Sequence, residues 1–264
     1  LAFCYSEGFG VRKNAKRAFD LYLRAASLGN TNAQYSVAVC YGSGDGTRRN
    51  RRKAFSWYMK AAQKGDAGAQ FNVGGYYDKG YVGRRNLKVA FRWYLKAARN
   101  GEVDAQHAVG YAYDKGLGVR RDVHAAARWY EKAARSGDLD SIFNLAVSCD
   151  AGEGCRRDLK RAFRLYKKGA ELGDPACACN LGLAYIDGDG VAKDARKGHS
   201  WLRRAASKGD TKALFDLGLT YETGTGVRRN MKQALSWYKK AARLGHVQAR
   251  NALARGGVEL QERQ

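Results

Sequence analysis

The sequence contains almost no proline: one residue in 264, where about 13 would be expected at an average usage of about 5%. This excludes collagen-like chains, proline-rich linkers and most loop-rich β architectures. No apolar run approaches the roughly 18 residues that a membrane-spanning helix needs, so we expect no span in the visible chain. Six cysteines are too few for a disulfide scaffold, and no two CxxC motifs are present to hold zinc.

Acidic residues are also scarce relative to basic ones. The chain has 25 Asp and Glu against 48 Lys and Arg, which gives a formal net charge of +23. A surface of this kind attracts acidic partners, although net charge says nothing about the fold. Apolar residues make up 45% of the chain and aromatic residues 11%, which is enough to build a substantial core.

What the sequence has in abundance is internal repetition with a period of 36 residues. An alanine pair recurs in one register, with a Gly-Ala variant in the fifth copy: Ala25-Ala26, Ala61-Ala62, Ala97-Ala98, Ala133-Ala134, Gly169-Ala170, Ala205-Ala206 and Ala241-Ala242. A glycine follows four residues after the first member of each pair: Gly29, Gly65, Gly101, Gly137, Gly173, Gly209 and Gly245. A glycine at this place is typical of a left-handed helix C-cap. A regular repeat predicts stacked units, each of which buries its apolar face on its neighbours.

Two helices are predicted in each repeat. Apolar residues at helical spacing precede the alanine pair, as in Ala54, Phe55, Trp57 and Tyr58, and predict a helix that we call B. An Asn or Asp that can cap its first amides precedes every B helix: Asn14, Asn50, Asn86, Asp122, Asp158, Asp194 and Asn230. A shorter apolar pattern after the glycine predicts a second helix, A. Glycine-rich turns join each A helix to the next B helix.

The order of these features resembles the Sel-1-like repeat family, relatives of the tetratricopeptide repeats. The shared pattern is Ala, Tyr, Gly-x-Gly-Val, Asp/Asn, Lys-Ala, Trp-Tyr-x-Lys-Ala-Ala and Gly, and it covers essentially the entire chain. The resemblance implies an all-α, right-handed superhelical solenoid of antiparallel helix pairs, with A helices lining the concave side. It also implies an adaptor that assembles protein complexes. We expect one solenoid of about seven repeats over residues 1–255 and a polar tail over 256–264. The first and last repeats are incomplete, which leads us to expect a longer parent protein.

Comparison between repeats does not support the motifs that suggest catalysis, a cofactor or a metal. The S-x-x-K motif of Ser236 to Lys239 lies in a B helix, where Ser56 and Ser200 occupy the same position without the lysine, and no S-D-N or K-T-G motif accompanies it. The segment Asp187 to Gly190 is similar to a calcium loop but lacks its glutamate, because position 196 is Arg. The four histidines have no metal-binding spacing. We therefore predict no catalytic residues, no cofactor and no metal site.

Cys149 and Cys155 replace the Tyr and Val that this place carries in most other repeats. Either they form a local disulfide or they are two small apolar side chains, since free cysteine is among the most buried residue types. The sequence also lacks an N-x-Ser/Thr sequon. This slightly favours a reducing intracellular compartment over a secretory one.

Basic pairs stand immediately before the B-helix caps: Arg12-Lys13, Arg48-Arg49, Arg84-Arg85, Arg120-Arg121, Arg156-Arg157, Ala192-Lys193 and Arg228-Arg229. We call the five Arg-Arg pairs the arginine edge. Cations beside a helix N-terminus oppose the macrodipole by about 0.3 to 1 kcal/mol each, so helix stability does not explain them. The edge is either a generic basic surface or a binding site for a polyanion: RNA, DNA or an acidic protein segment.

A second candidate surface follows one A-helix position, which we call the groove position: Ser36, Asn72, Ala108, Asn144, Asn180, Asp216 and Ala252. Amides carry both donors and acceptors and suit the backbone of an extended peptide. Similar asparagines in tetratricopeptide relatives hold peptide ligands, so the resemblance makes Asn72, Asn144, Asn180 and Asp216 candidate peptide-binding residues. The alternative is hydrogen bonding between helices. We predict a non-enzymatic scaffold for a protein partner, and as a second hypothesis a ribonucleoprotein component bound through the arginine edge.

Overall fold

The computed structural model describes residues 1–255, and the expected polar tail, 256–264, lies outside the described residues. Regular structure in this range is entirely α-helical, which confirms the all-α prediction. The helices are α1 (Ala2–Glu7), α2 (Ala15–Ser27), α3 (Thr31–Ser43), α4 (Arg51–Gln63), α5 (Ala67–Lys79), α6 (Leu87–Arg99), α7 (Val103–Lys115), α8 (Val123–Arg135), α9 (Leu139–Ala151), α10 (Leu159–Glu171), α11 (Pro175–Asp187), α12 (Ala195–Ser207), α13 (Thr211–Thr223), α14 (Met231–Arg243) and α15 (Val247–Arg255). Odd-numbered helices are A helices and even-numbered helices are B helices.

The helices form two compact units, the first from Leu1 to Asp138 and the second from Leu139 onward. The first contains α1 to α8 and the second α9 to α15. Within each unit, A and B helices alternate as antiparallel neighbours. The caps follow the sequence pattern: the side chain of Asn50 accepts a hydrogen bond from the Lys53 amide at 3.0 Å, and all seven predicted B-helix caps make the equivalent contact.

The B-helix tyrosines and alanine pairs form the core of each unit. Tyr130 is 2% exposed, and both alanines of the pair in its helix, α8, are buried. Glycines in the A helices allow the tyrosine rings to come close. A Cβ atom on Gly110 would lie 2.8 Å from the ring of Tyr130, and one on Gly218 would lie 2.6 Å from that of Tyr238. Small residues in the A helices therefore set the spacing between paired helices.

In four of the Gly-x-Gly turns the second glycine lies close to the backbone of a neighbouring repeat. Gly46 has a φ of +69°, and a Cβ atom on it would lie 2.1 Å from the carbonyl oxygen of Ala15, the first residue of α2. The same approach recurs within each unit at Gly118, Gly190 and Gly226. In the third repeat Val82 takes this place, and Gly83 has a φ of +146° instead. A side chain at this position thus accompanies a different loop conformation.

Some of the basic residues make contacts within and between the repeats. A Lys or Arg in the last turn of five B helices lies over a tryptophan three residues earlier, at 3.9 to 4.5 Å from the ring centroid: Lys60 over Trp57, Lys96 over Trp93, Lys132 over Trp129, Arg204 over Trp201 and Lys240 over Trp237. These are cation–π contacts. Lysines also connect adjacent repeats: Nζ of Lys64 donates to the Gly29 carbonyl at 2.6 Å in the first unit. Lys208 donates to the Gly173 carbonyl at 2.7 Å in the second.

Candidate functional site

The second arginine of four pairs is bound to the A helix that precedes it. Its Nε donates to a carbonyl oxygen seven residues earlier, at 2.7 to 3.0 Å: Arg85 to Asp78, Arg121 to Asp114, Arg157 to Asp150 and Arg229 to Glu222. The last carbonyls of a helix have no partner within the helix. These arginines therefore fasten the B-helix entry to the end of the A helix, a structural role that the sequence did not reveal.

The first arginine of each pair is in a different situation. Arg48, Arg84, Arg120, Arg156 and Arg228 are exposed, and within residues 1–255 none of them has a hydrogen bond or ion pair. Several first arginines line open hollows at the start of B helices, together with other cations. Arg156 shares its hollow with Lys160 and Arg161. In the four pairs whose second arginine is bound, only the first arginine is consequently free to meet a polyanion.

The groove position is polar, but most of its groups already have partners within the protein. Nδ2 of Asn72 donates to the Gly68 carbonyl of its own helix at 2.8 Å. Oδ1 of Asn180 accepts from Nζ of Lys212 at 3.1 Å. Burial raises the pKa of Asp216, whose Oδ2 lies 3.6 Å from Sγ of Cys179.

Asn144 occupies the same position in α9 and is half-buried. The four residues thus stand at equivalent places, and three of them lie on consecutive A helices of the second unit.

An exposed apolar position lies one helical turn beyond the groove position, and the sequence interpretation did not include it. In the first unit it contains Val39 of α3 and Tyr111 of α7, 38% and 44% exposed. In the second it contains Val147 of α9 and Leu219 of α13, 39% and 43% exposed. We call these four residues the apolar A-face. The sequence did contain a signal for this surface. An apolar side chain recurs at this position of the A helix, although other residues already fill the buried positions of that helix.

Two cavities in the second unit lie at equivalent places two repeats apart. The smaller, of about 200 Å³, contains Asp150, Phe163 and Tyr166 in its lining. The larger, of about 470 Å³, contains the corresponding Glu222, Leu235 and Tyr238. In the first the tyrosine hydroxyl lies 3.5 Å from the Asp150 carboxylate, and in the second it donates to Glu222. Each cavity thus pairs a carboxylate and a phenol with apolar walls.

The cysteines are free thiols, and Sγ of Cys149 lies 3.6 Å from Sγ of Cys155. Burial raises the pKa of Cys149 to about 12. In the part of the chain that the structure describes, no group of three or more His, Cys, Asp or Glu side chains could hold a metal ion. Over the same residues, no helix combines the length and the apolarity that crossing a bilayer demands.

Seven consecutive segments match the Sel1 repeat, at residues 1–30, 31–66, 67–102, 103–138, 139–174, 175–210 and 211–246. The chain is similar to a protective antigen of uropathogenic Escherichia coli strains that displays an SLR fold, with a TM-score of 0.92 and 33% sequence identity. The match covers 97% of this chain but only 55% of the length of that antigen. A Sel1 repeat protein from Oxalobacter formigenes is also similar, with a TM-score of 0.75, 29% identity and coverage of 97% of this chain and 74% of the other. Among curated proteins, none matches. Fifteen helices without a strand in residues 1–255, together with seven matched repeats, show that the chain belongs to the Sel1 repeat family.

Proposed function

We propose that this chain is a non-enzymatic scaffold that binds an extended segment of a partner protein along its A helices. Sel1 repeat proteins are generally protein-interaction scaffolds. The observation that carries the proposal is the apolar A-face, where Val39 and Tyr111 in one unit and Val147 and Leu219 in the other stay partly exposed. An exposed apolar side chain contributes little to folding, whereas burying it against a partner contributes to binding.

The groove position supplies the polar complement of this surface. It lies three residues before each apolar position, so both project from the same side of the A helix. Asn144 precedes Val147 and Asp216 precedes Leu219 in this way. An apolar residue flanked by hydrogen-bonding groups suits an extended peptide, because side chains and backbone both find partners.

Binders selected from a displayed library of random peptides test this proposal. We expect that Val147→Ser with Leu219→Ser weakens binding of the selected peptides by about 30- to 150-fold, since each buried aliphatic side chain contributes on the order of 1 to 1.5 kcal/mol. The matched control is Leu28→Ser with Leu244→Ser, which changes apolar residues that are 89% and 59% exposed at the ends of B helices. Equal affinity for the A-face variant and the control variant would contradict the proposal.

A second candidate function is polyanion binding by the arginine edge. It is favoured by one observation, the exposed and unpaired first arginines. Arg84, Arg120 and Arg156 changed to Ser would remove three phosphate contacts and flatten the slope of log affinity against log salt for RNA by about 2 to 2.7 units. Asn144→Ala serves as the control and should leave that slope unchanged. An unaltered slope in the arginine variant would remove RNA and DNA from consideration at this edge.

A further inference from the structure

The smaller cavity of the second unit combines apolar walls with an excess of carboxylates. Phe163 of α10 and Leu183 of α11 provide apolar surface. Asp150, Asp187 and Asp189 also line the cavity, whose volume of about 200 Å³ is close to that of one long side chain. Such a cavity differs from a generic acidic patch because it offers both a hydrophobic contact and a charged one.

Two of these carboxylates lie at positions whose residue type varies between repeats. The positions that correspond to Asp187 and Asp189 two repeats earlier carry Lys115 and Leu117. The repeat therefore does not require an acidic residue at either place. Both aspartates are exposed at the cavity rim, and within residues 1–255 neither side chain has an ion pair or hydrogen bond. This is notable in a chain with 48 basic and 25 acidic residues.

The one lysine that lines this cavity is engaged elsewhere. Nζ of Lys212 lies 3.1 Å from Oδ1 of Asn180 and 3.9 Å from Oδ2 of Asp216. The lining contains three carboxylates and one ammonium group, an excess of two negative charges. The carboxylates are not arranged as ligands of a metal ion, since no such group exists in the described range.

We propose that this cavity receives a lysine or arginine side chain of a protein partner. The cation binds between Asp187 and Asp189, and its methylene groups pack against Phe163 and Leu183. Long basic side chains have this dual character, with an apolar stem and a charged head. The inference rests on the proposed function, because the occupant is a segment of the partner that binds along the A helices.

The first unit contains a comparable arrangement that uses a lysine of the chain itself. Lys115 stands at the position of Asp187, and Tyr111 at the position of Leu183. Nζ of Lys115 lies 6.0 Å from the centroid of the Tyr111 ring and 2.8 Å from Oδ2 of Asp114. The first unit thus places a cation at the position where the second presents a carboxylate.

A titration of the full chain with N-acetyl-arginine amide, followed by NMR of labelled leucine methyl groups, tests the cavity directly. We expect the Leu183 methyl signals to shift with this probe and not with the uncharged N-acetyl-citrulline amide. Asp187→Asn with Asp189→Asn should abolish the shift. Asp45→Asn is the matched control, because Asp45 holds the position of Asp189 in the first unit, and it should change nothing. An equal response to citrulline, or an unchanged response in the double variant, would overturn the inference.

The peptides selected against the A-face separate this inference from the proposed function. We expect them to share a basic residue and to bind the Asp187→Asn, Asp189→Asn variant about three- to tenfold more weakly, as two partly exposed ion pairs allow. Peptides that depend on Val147 and Leu219 but contain no basic residue would contradict the cavity assignment and leave the scaffold function standing. Peptides that depend on neither apolar residue would contradict the scaffold function, and the arginine amide titration would still decide the cavity.

Discussion

Gly46 and Gly10 occupy the same position in consecutive repeats and adopt the same backbone conformation, with φ of +69°. Their surroundings differ. A Cβ atom on Gly46 would lie 2.1 Å from the carbonyl oxygen of Ala15, whereas one on Gly10 would meet nothing within 4 Å. Changing each to alanine therefore separates the cost of the conformation from the cost of the contact between repeats.

The two contributions have different sizes. An alanine in the left-handed region costs about 1 to 2 kcal/mol, and this applies to both substitutions. Overpacking against a neighbouring group costs about 1 to 3 kcal/mol more, and it applies to Gly46→Ala alone. We expect Gly10→Ala to lower the free energy of unfolding by about 1 to 2 kcal/mol and Gly46→Ala to lower it by about 2 to 5 kcal/mol.

Urea unfolding of the full chain, followed by circular dichroism, measures the difference in stability between the two variants. The comparison requires that the free energy of unfolding falls with urea concentration at the same slope in both. Hydrogen exchange of α2 is a local readout for both variants, because α2 follows the turn that contains Gly10 and begins at Ala15, the residue that Gly46 approaches. The increase in the exchange rate of α2 amides should be larger for Gly46→Ala than for Gly10→Ala. Equal losses of stability in the two variants would refute the conclusion that contact between repeats, rather than turn geometry, requires the second glycine.

Three further results are expected. Arg157→Lys should lower the free energy of unfolding by about 0.5 to 1.5 kcal/mol, because lysine lacks the Nε donor to the helix end, while Arg156→Lys should leave the urea midpoint unchanged. Lys96→Met should cost about 0.5 to 1 kcal/mol through loss of the contact with Trp93, and a double-mutant cycle with Trp93→Leu should recover that coupling. Burial raises the pKa of Cys177, so its thiol stays protonated at pH 8. Iodoacetamide should therefore alkylate Cys177 only after unfolding, as measured by mass spectrometry. Alkylation of Cys177 in the native chain at that pH would contradict this assignment.

Features that depend on residues close together in the chain were predictable from the sequence. The cap at Asn50 acts on Lys53, three residues later. The Gly44 C-cap, with φ of 97°, accepts the left-handed conformation because glycine has no Cβ. The 36-residue register repeats such local signals seven times, so an isolated misinterpretation could not have altered the helical frame.

The candidate functional surfaces were predicted less completely, because they depend on which side chains the folded chain pairs or covers. The arginine edge looked uniform in sequence, yet in the structure Arg85 binds the Asp78 carbonyl while Arg84 stays free. Spacing alone does not tell which of two adjacent arginines faces the helix end. The assignment of peptide binding to Asn144 and Asn180 stays a prediction, and the apolar A-face beside them was missed.

The sequence by itself therefore determined the helices, their caps, their order and the family, since these follow from interactions within a few residues and from their repetition. Only the tertiary structure decided which apolar side chains remain exposed, as at Val147, because burial depends on the neighbouring helix that covers each face. It also brought Asp187 and Phe163 to one cavity across 24 residues of chain. Contacts of that range arise from packing between repeats, and a local pattern carries no record of them.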